Sequence, residues 1–183
     1  MSLWMTQATA QAVLLGSYHW QVEDPDFGGF SGIELTDDGS GFVAISDRGL
    51  FVSGSFVRND EVINAVELDA LQMMIQSATD RMKHIDSEGL ALGPDGSLYV
   101  SFESTAGVRQ FESVSATAGP LLAAPAFAAM QSNSSLEALA IGPDGALYTI
   151  PERSGRATRP FQVFRLQNGV WDQPFSIPRT GPY

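Results

Sequence analysis

The chain has 183 residues, of which 44% are hydrophobic and 17% are charged, a balance typical of one folded domain rather than a disordered chain. Its formal net charge of −11 argues against binding to nucleic acid or to an anionic membrane surface. Because it has no cysteine, disulfides, thiolate zinc sites and thiol catalysis are excluded.

Three segments along the chain align on a shared turn, at residues 31–39, 88–96 and 137–145. The second and third both end in Gly-Pro-Asp-Gly, in which proline presets one turn dihedral and glycine supplies a positive φ. A short apolar run follows each turn, at residues 42–45, 98–102 and 147–150. Each unit therefore predicts a strand, a turn and a second strand.

Further strands are predicted between and after these units. They lie at residues 49–58, 61–68, 108–114, 160–166 and 170–177, the last two flanking Asn168-Gly169. Apolar residues at helical spacing in residues 68–82 predict a short inserted helix. The Ala-, Ser- and Pro-rich stretch 116–135 predicts a connecting loop, and its apolar run is too short to span a membrane.

The turn glycines Gly39, Gly96 and Gly145 are 57 and 49 residues apart. That spacing is typical of four-stranded propeller blades. We therefore predict an all-β fold, in which residues 1–183 form a single partial β-propeller domain with repeats centred on 31–47, 88–103 and 137–152. The length allows roughly three and a half blades of a probable six. We therefore expect either that the chain is a fragment of a longer protein whose further residues cover the open blade edges, or that association covers them, as in a homo-oligomer.

Acidic residues recur where the paired strands of each unit end. Glu88 and Glu103 are equidistant from the second turn, as Glu137 and Glu152 are from the third, and Asp47 ends the first unit. Blades repeat around one axis, so these carboxylates are expected to crowd a tunnel mouth, where a hard cation such as calcium would relieve their repulsion. The alternative is that they are only solvated surface acids.

The hairpin register limits which of these acids can meet. If Gly93 pairs with Ser97, Leu92 faces Leu98, and Glu88 and Glu103 point to opposite faces of the sheet. The partners of Glu88 and Glu103 are then expected on neighbouring blades.

Several motifs together resemble the phytase-like propeller family, often described as having esterase-like activity. They are Ser-Asp-Arg-Gly at 46–49, Asp-Ser-Glu-Gly-Leu at 86–90 and Glu-Arg-Ser-Gly at 152–155. The resemblance implies a six-bladed bacterial propeller exported to the periplasm or secreted. It also implies calcium-dependent hydrolysis of a small-molecule phosphate or other ester.

Carried over by position, the resemblance implies two sets of site residues. The implied calcium ligands are Asp47, Glu88, Glu103, Glu137 and Glu152. The implied catalytic residues are Asp47, Arg48, Glu88 and Arg153, with the two arginines neighbouring the substrate. Ser31 replaces the acid of the first unit, and Ala138 replaces the glycine of the third.

Three function classes stay open at this stage. The first is a calcium-dependent hydrolase of phosphate or related esters, and the second is a propeller that binds a small ligand without turnover. The third is a structural or partner-binding protein. Metal dependence separates the first class from the other two.

Overall fold

A computed structural model of the chain describes residues 12–77, 80–81, 85–130, 134–156 and 158–179. These residues form antiparallel sheets, which confirms the predicted all-β fold. The first sheet contains β1 (Phe30–Leu35), β2 (Gly41–Ser46), β3 (Leu50–Asn59) and β4 (Val62–Met73). The second contains β7 (Ser87–Leu92), β8 (Leu98–Phe102) and β9 (Gly107–Phe111). The third contains β10 (Leu136–Ile141), β11 (Leu147–Pro151), β12 (Phe161–Gln167) and β13 (Val170–Ile177).

The predicted helix over residues 68–82 is wrong where the structure describes it. Strand β4 continues to Met73, and β5 (Ile75–Ser77) pairs with β6 (Asp80–Arg81), while Ala78 and Met82 lie outside the described residues. The apolar positions also fit a strand, because Leu71 and Met73, two residues apart, both pack on the core of the first sheet.

The described parts of the predicted connection, residues 116–130 and 134–135, are mostly irregular, as predicted. The connection also contains a 3₁₀ helix (Pro125–Ala129), whose Phe127 is buried. The helix begins with proline, which lacks the N–H that would otherwise be left unpaired there. Leu122 forms a bridge to Val108 beside the edge strand β9. The described residues contain no helix long and apolar enough to cross a membrane.

Apolar cores lie between successive sheets, as between the blades of a propeller. One core joins Ile45 and Phe51 of the first sheet to Leu90 and Val100 of the second. A second core joins Ala91 and Val108 of the second sheet to residues of the third, among them Leu136, Leu139, Leu147 and Phe164. Each sheet therefore has a leading face, which bears Leu90 or its equivalent, and an opposite trailing face.

All three sheets carry a β-bulge at the same place, near the start of their first strand. One extra residue is inserted at Ser31 in β1, at Glu88-Gly89 in β7 and at Glu137 in β10. A bulge reorients the side chains that precede it relative to the rest of the strand. The bulges thus fix the direction of the residues at one end of every sheet.

Candidate functional site

The three bulges are held by one recurring backbone hydrogen bond. In each, the residue after the second strand donates its N–H to a carbonyl just before the bulge. The bonds are Asp47 N to Gly29 O at 2.9 Å, Glu103 N to Asp86 O at 2.8 Å and Glu152 N to Ser135 O at 2.9 Å. Asp47, Glu103 and Glu152 are therefore structurally equivalent, although Asp47 comes one residue later after its turn than the two glutamates do.

Buried serine hydroxyls tie neighbouring sheets together beneath this end. Ser87 Oγ donates to Ser46 O at 2.6 Å, and Ser135 Oγ donates to Glu103 O at 2.7 Å. Both serines are almost fully buried, so these bonds fix one sheet relative to the next. These hydrogen bonds accordingly fix the strand ends that carry the acidic residues.

Three carboxylates meet in the second sheet. Asp86, Glu88 and Glu103 each place one oxygen so that all three oxygens lie within 4.8 Å of one another, and each residue is half-buried. The expectation that Glu88 and Glu103 point apart is wrong. The predicted pairs Leu90–Val100 and Leu92–Leu98 are present, but the bulge at Glu88-Gly89 shifts the register before the glutamate.

Asp86 was not predicted as a site residue, although it lies within the Asp-Ser-Glu-Gly-Leu motif. It has a φ of +48°, in the left-handed region, where the first sheet has Gly29 with a φ of +64° at the equivalent position. Aspartate tolerates this region better than most residues, at some cost in backbone energy. The sequence signal that could have identified Asp86 was an acidic residue at the repeat position where the first unit has a glycine.

The electrostatics show that Glu88 lies at the centre of the acidic group. Its pKa is raised from 4.5 to about 7, first by burial and then by the charges of Glu137, Glu103, Asp86 and Asp47 in that order. These four residues come from all three sheets. The prediction that Glu88 has its partners on neighbouring blades rather than in Glu103 is therefore only partly right, because Glu103 and Asp86 of its own sheet also act on it.

Two more carboxyls of the group have raised pKa values. Burial raises the pKa of Glu103 most, and the charges of Asp86, Glu137 and Glu152 raise it further, although a hydrogen bond from the backbone N–H of Ser135 to the carboxyl lowers it. The pKa of Glu137 is raised by burial and then by the Glu152 charge. Carboxylates held this close favour a proton or a cation between them.

The two predicted arginines take equivalent positions beside the group. Arg48 Nε lies 3.9 Å from Asp47 Oδ1, and Arg153 Nε lies 3.5 Å from Glu152 Oε2. Both guanidinium groups are largely exposed, so these ion pairs are weak. Arg48 Nη1 also donates to Pro25 O at 3.5 Å.

Asp47 has a carboxylate oxygen without a hydrogen-bond partner. Its Oδ1 atom is buried, and the distance to Arg48 is too long for a hydrogen bond. A buried, unpaired anionic oxygen is costly. Together with the three clustered carboxylates, it gives the site the oxygen donors that hard divalent cations prefer.

Comparison with solved structures gives distant similarities. The chain is similar to the β-propeller domain of Cps50 (Swd1) from Myceliophteria thermophila, at 10% identity over 67% of this chain and 35% of that one, with a TM-score of 0.46. It is also similar to a functionally unknown protein from Desulfotomaculum acetoxidans DSM 771, at 14% identity over 79% and 40% of the two chains, with a TM-score of 0.44. The chain thus spans well under half the length of these two structures.

Curated proteins give no match to the chain. A family model described as "Phytase-like: Esterase-like activity of phytase" matches residues 25–181. That match contains all three bulged units and every acidic residue of the site. The chain belongs to this phytase-like family, as its motifs predicted.

Proposed function

We propose that the chain is a calcium-dependent hydrolase of a small-molecule phosphate or related ester. The observation that carries this proposal is the cluster of Asp86, Glu88 and Glu103, whose carboxylate oxygens lie within 4.8 Å of one another. Membership of the phytase-like family supports it.

The residues present fit a calcium ion on their donor chemistry. Asp86, Glu88 and Glu103 would hold the ion, and Asp47 and Glu137 add negative charge from the neighbouring sheets. The unpaired buried oxygen of Asp47 is a further acceptor without a protein donor. A bound calcium would neutralise charge on the ester and orient water toward it.

Arg48 and Arg153 are proposed to bind the substrate. They follow Asp47 and Glu152 at equivalent positions in the first and third sheets, which pack on either side of the second. Guanidinium groups bind phosphate oxygens through paired N–H donors. The proposed substrate is therefore an anionic ester that the two arginines and a bound cation would hold together.

The proposal includes an exported location, in the periplasm or outside the cell. Calcium sites of extracellular modules work at affinities of roughly 10⁻⁴–10⁻³ M, which cytosolic free calcium does not reach. Fusion of the native gene product to a reporter active only after export would test this location.

Phosphate release is the direct test of the hydrolase. Phytate, an aryl phosphate and an aryl acetate are offered to the calcium-loaded chain, and the assay is repeated with a calcium chelator. We expect release from at least one ester to fall by about tenfold or more on chelation and in Glu88→Gln, since an interaction worth about 1.4 kcal/mol in the transition state changes the rate tenfold. Glu112→Gln is the matched control, because Glu112 is exposed beside Phe111, at the opposite end of the second sheet.

Two results would contradict the proposal. Hydrolysis that neither chelation nor Glu88→Gln changes would remove calcium from the mechanism. Calcium-dependent binding of these esters without turnover would instead assign the second class, a propeller that binds a ligand without catalysis.

A further inference from the structure

An open pocket of about 470 Å³ lies between the third sheet and the connection that precedes it. The connection contributes Ala129 and Met130, strand β12 contributes Phe164, and the loop after β11 contributes the rest of one side. Phe164 packs on the core between the second and third sheets, so the pocket adjoins the leading face of the third sheet. Its described lining contains none of the three clustered carboxylates, so this is a different place from the candidate cation site.

Much of the pocket lining is apolar. Pro151 is buried and Phe164 is 5% exposed, while Met130 and Pro160 are half-buried. Met130 also packs on the core that includes Phe164, so the fold holds these two side chains in place. A ligand that covers this surface is stabilised by removing apolar area from water.

The polar part of the lining carries two positive charges. Arg153 and Arg159 both line the pocket, and both are exposed. Arg153 has the weak ion pair with Glu152, at 3.5 Å between Nε and Oε2. Among the described residues, no acidic side chain forms an ion pair with Arg159. The pocket therefore presents more positive charge than the protein around it neutralises.

The loop that carries these arginines is held in place by a buried serine. Ser154 is 9% exposed, and its Oγ donates to Arg156 O at 3.4 Å and accepts from Arg179 Nη1 at 3.4 Å. A Cβ on Gly155 would lie 3.8 Å from Arg159 Nη1, so the Arg159 guanidinium lies against this same part of the loop. These contacts reduce the ordering that a ligand would otherwise have to impose on the loop.

The positive charge here is local. The chain has ten Lys and Arg against 21 Asp and Glu, yet residues 153–159 contain three arginines and no acid. The net charge of −11 opposes the approach of a polyanion such as nucleic acid, whereas a small anion interacts mainly with the nearest guanidinium groups because salt screens the more distant charges. The volume of the pocket is also within the range of about 300–1,000 Å³ that small-molecule pockets have.

We propose that this pocket binds a small organic anion, with its acidic group on Arg153 and Arg159 and its apolar body against Met130 and Phe164. Guanidinium groups bind carboxylate and phosphate oxygens through paired N–H donors. An inorganic anion would leave the apolar lining in water, and a neutral apolar molecule would leave the guanidinium groups without an anionic partner. Such binding requires no metal ion, so the inference goes beyond the proposed hydrolase and does not depend on it.

Phenylphosphonate is a suitable probe, because it joins an anionic group to an apolar ring through a C–P bond that ester hydrolysis does not cleave. It would be titrated in calcium-free buffer into the chain labelled with ¹³C at its methionine methyl groups. The Met130 methyl resonance is identified by its absence in Met130→Leu. We expect this resonance to shift saturably, because Met130 lines the pocket and an aromatic ring would lie beside it.

A second ligand and two variants test the two halves of the proposal separately. Methylphosphonate should bind at least about fivefold more weakly than phenylphosphonate, because it covers less apolar surface. Arg159→Gln should weaken phenylphosphonate binding at least about fivefold through loss of a charge-assisted hydrogen bond. Arg58→Gln is the matched control, because it removes the same charge from an exposed position on the first sheet, and it should bind like the unchanged chain.

Arg159 is exposed, so Arg159→Gln should keep the circular dichroism spectrum of the unchanged chain. If that variant did not fold, the comparison of the two phosphonates would still decide the proposal. Absence of a saturable shift at Met130, equal affinity for the two phosphonates, or equal affinity in a folded Arg159→Gln would each overturn it. A Met130 shift that appears only when calcium is added would also overturn it, because the anion would then be bound through the cation site. Loss of calcium binding or of hydrolysis would leave the proposal intact.

Discussion

The first and second sheets have the same backbone arrangement at their bulges but carry different residues there. Both have a bulge near the start of the first strand and the same hydrogen bond closing it, at 2.9 and 2.8 Å. The residues at these positions are Gly29, Ser31 and Asp47 in the first sheet and Asp86, Glu88 and Glu103 in the second. The repeat thus supplies a backbone frame, while the choice of three carboxylates turns one copy of that frame into a candidate cation site.

The two sheets also differ in their neighbours. Among the described residues, the second sheet packs on another sheet at both faces, whereas the first packs on the second sheet at one face and on Trp20 and Phe27 at the other. Because the second sheet is central, the charges of Asp47 and Glu137 on its two neighbouring sheets both raise the pKa of Glu88. Low solvation and several like charges together produce its raised pKa.

The largest expected effect comes from filling the space at the bulge glycines. Gly89→Ala places a Cβ 2.7 Å from Leu139 N and 2.8 Å from Glu137 O, both of which are backbone atoms of the third sheet. We expect it to lower the free energy of unfolding by about 1–3 kcal/mol, as overpacking does. Urea unfolding measures this loss.

Gly32→Ala is the matched comparison in the first sheet. Its Cβ would meet Leu90 Cβ and N at 3.1 Å, so a shift of a few tenths of an ångström relieves it. The loss should be clearly smaller than that of Gly89→Ala. Equal losses in the two variants would show that the second sheet is not held more tightly than the first.

A pH effect should distinguish Glu88 from carboxyls outside the group. Its pKa is 4.5 when unperturbed and about 7 in the fold. Below pH 4.5 both states hold the proton and folding is not penalised. As pH rises from 4.5 to 7 the unfolded chain releases the proton first, so stability falls and then stays at the lower level.

In calcium-free buffer, Glu88→Gln should remove much of this loss of stability between pH 4.5 and 7. The melting temperature would be followed from about pH 4 to pH 8, the range that spans both pKa values. Glu112→Gln should follow the unchanged chain over the same range. A pH profile that Glu88→Gln leaves unaltered would show that Glu88 does not carry the raised pKa.

The smallest effect is expected where the second sheet is converted to the pattern of the first. Asp86→Gly removes the strain of a φ of +48° but makes the unfolded chain more flexible, and the two terms nearly cancel within about 1 kcal/mol. The loss of the Asp86 charge then decides whether the variant is more or less stable than the unchanged chain. Stability should rise at pH 8, where the neighbouring glutamates are ionised, and change little at pH 4. Urea unfolding at the two pH values measures both effects. A loss of stability at pH 8 would contradict this account.

Much of the fold follows from local sequence signals. The Gly-Pro-Asp-Gly turns and the Asn168-Gly169 hairpin predict strands that the structure has, because these residues fix backbone dihedrals by themselves. The continuation of β4 to Met73 was missed, because apolar residues at mixed spacing fit either a helix or a strand until a partner strand is known.

Two of the three cluster residues were predicted, but the third, Asp86, and the geometry of the cluster were not. Glu88 and Glu103 were identified from their distances to the turn, yet a regular register places them on opposite faces. Only the bulge at Glu88-Gly89 brings them together with Asp86, and a bulge depends on the pairing of two strands rather than on one segment. The predicted roles of Arg48 and Arg153 at the substrate, and the blade count, stay predictions.

Calorimetric titration of calcium into the calcium-free chain tests the central claim most directly, since it measures the ion alone without requiring turnover. At about pH 8, where the Glu88 carboxyl is ionised, we predict saturable binding that Glu88→Gln weakens at least about tenfold and Glu112→Gln leaves unchanged. No saturable heat in the unchanged chain, or equal affinity in Glu88→Gln, would contradict the assignment of the Asp86, Glu88 and Glu103 cluster as a calcium site.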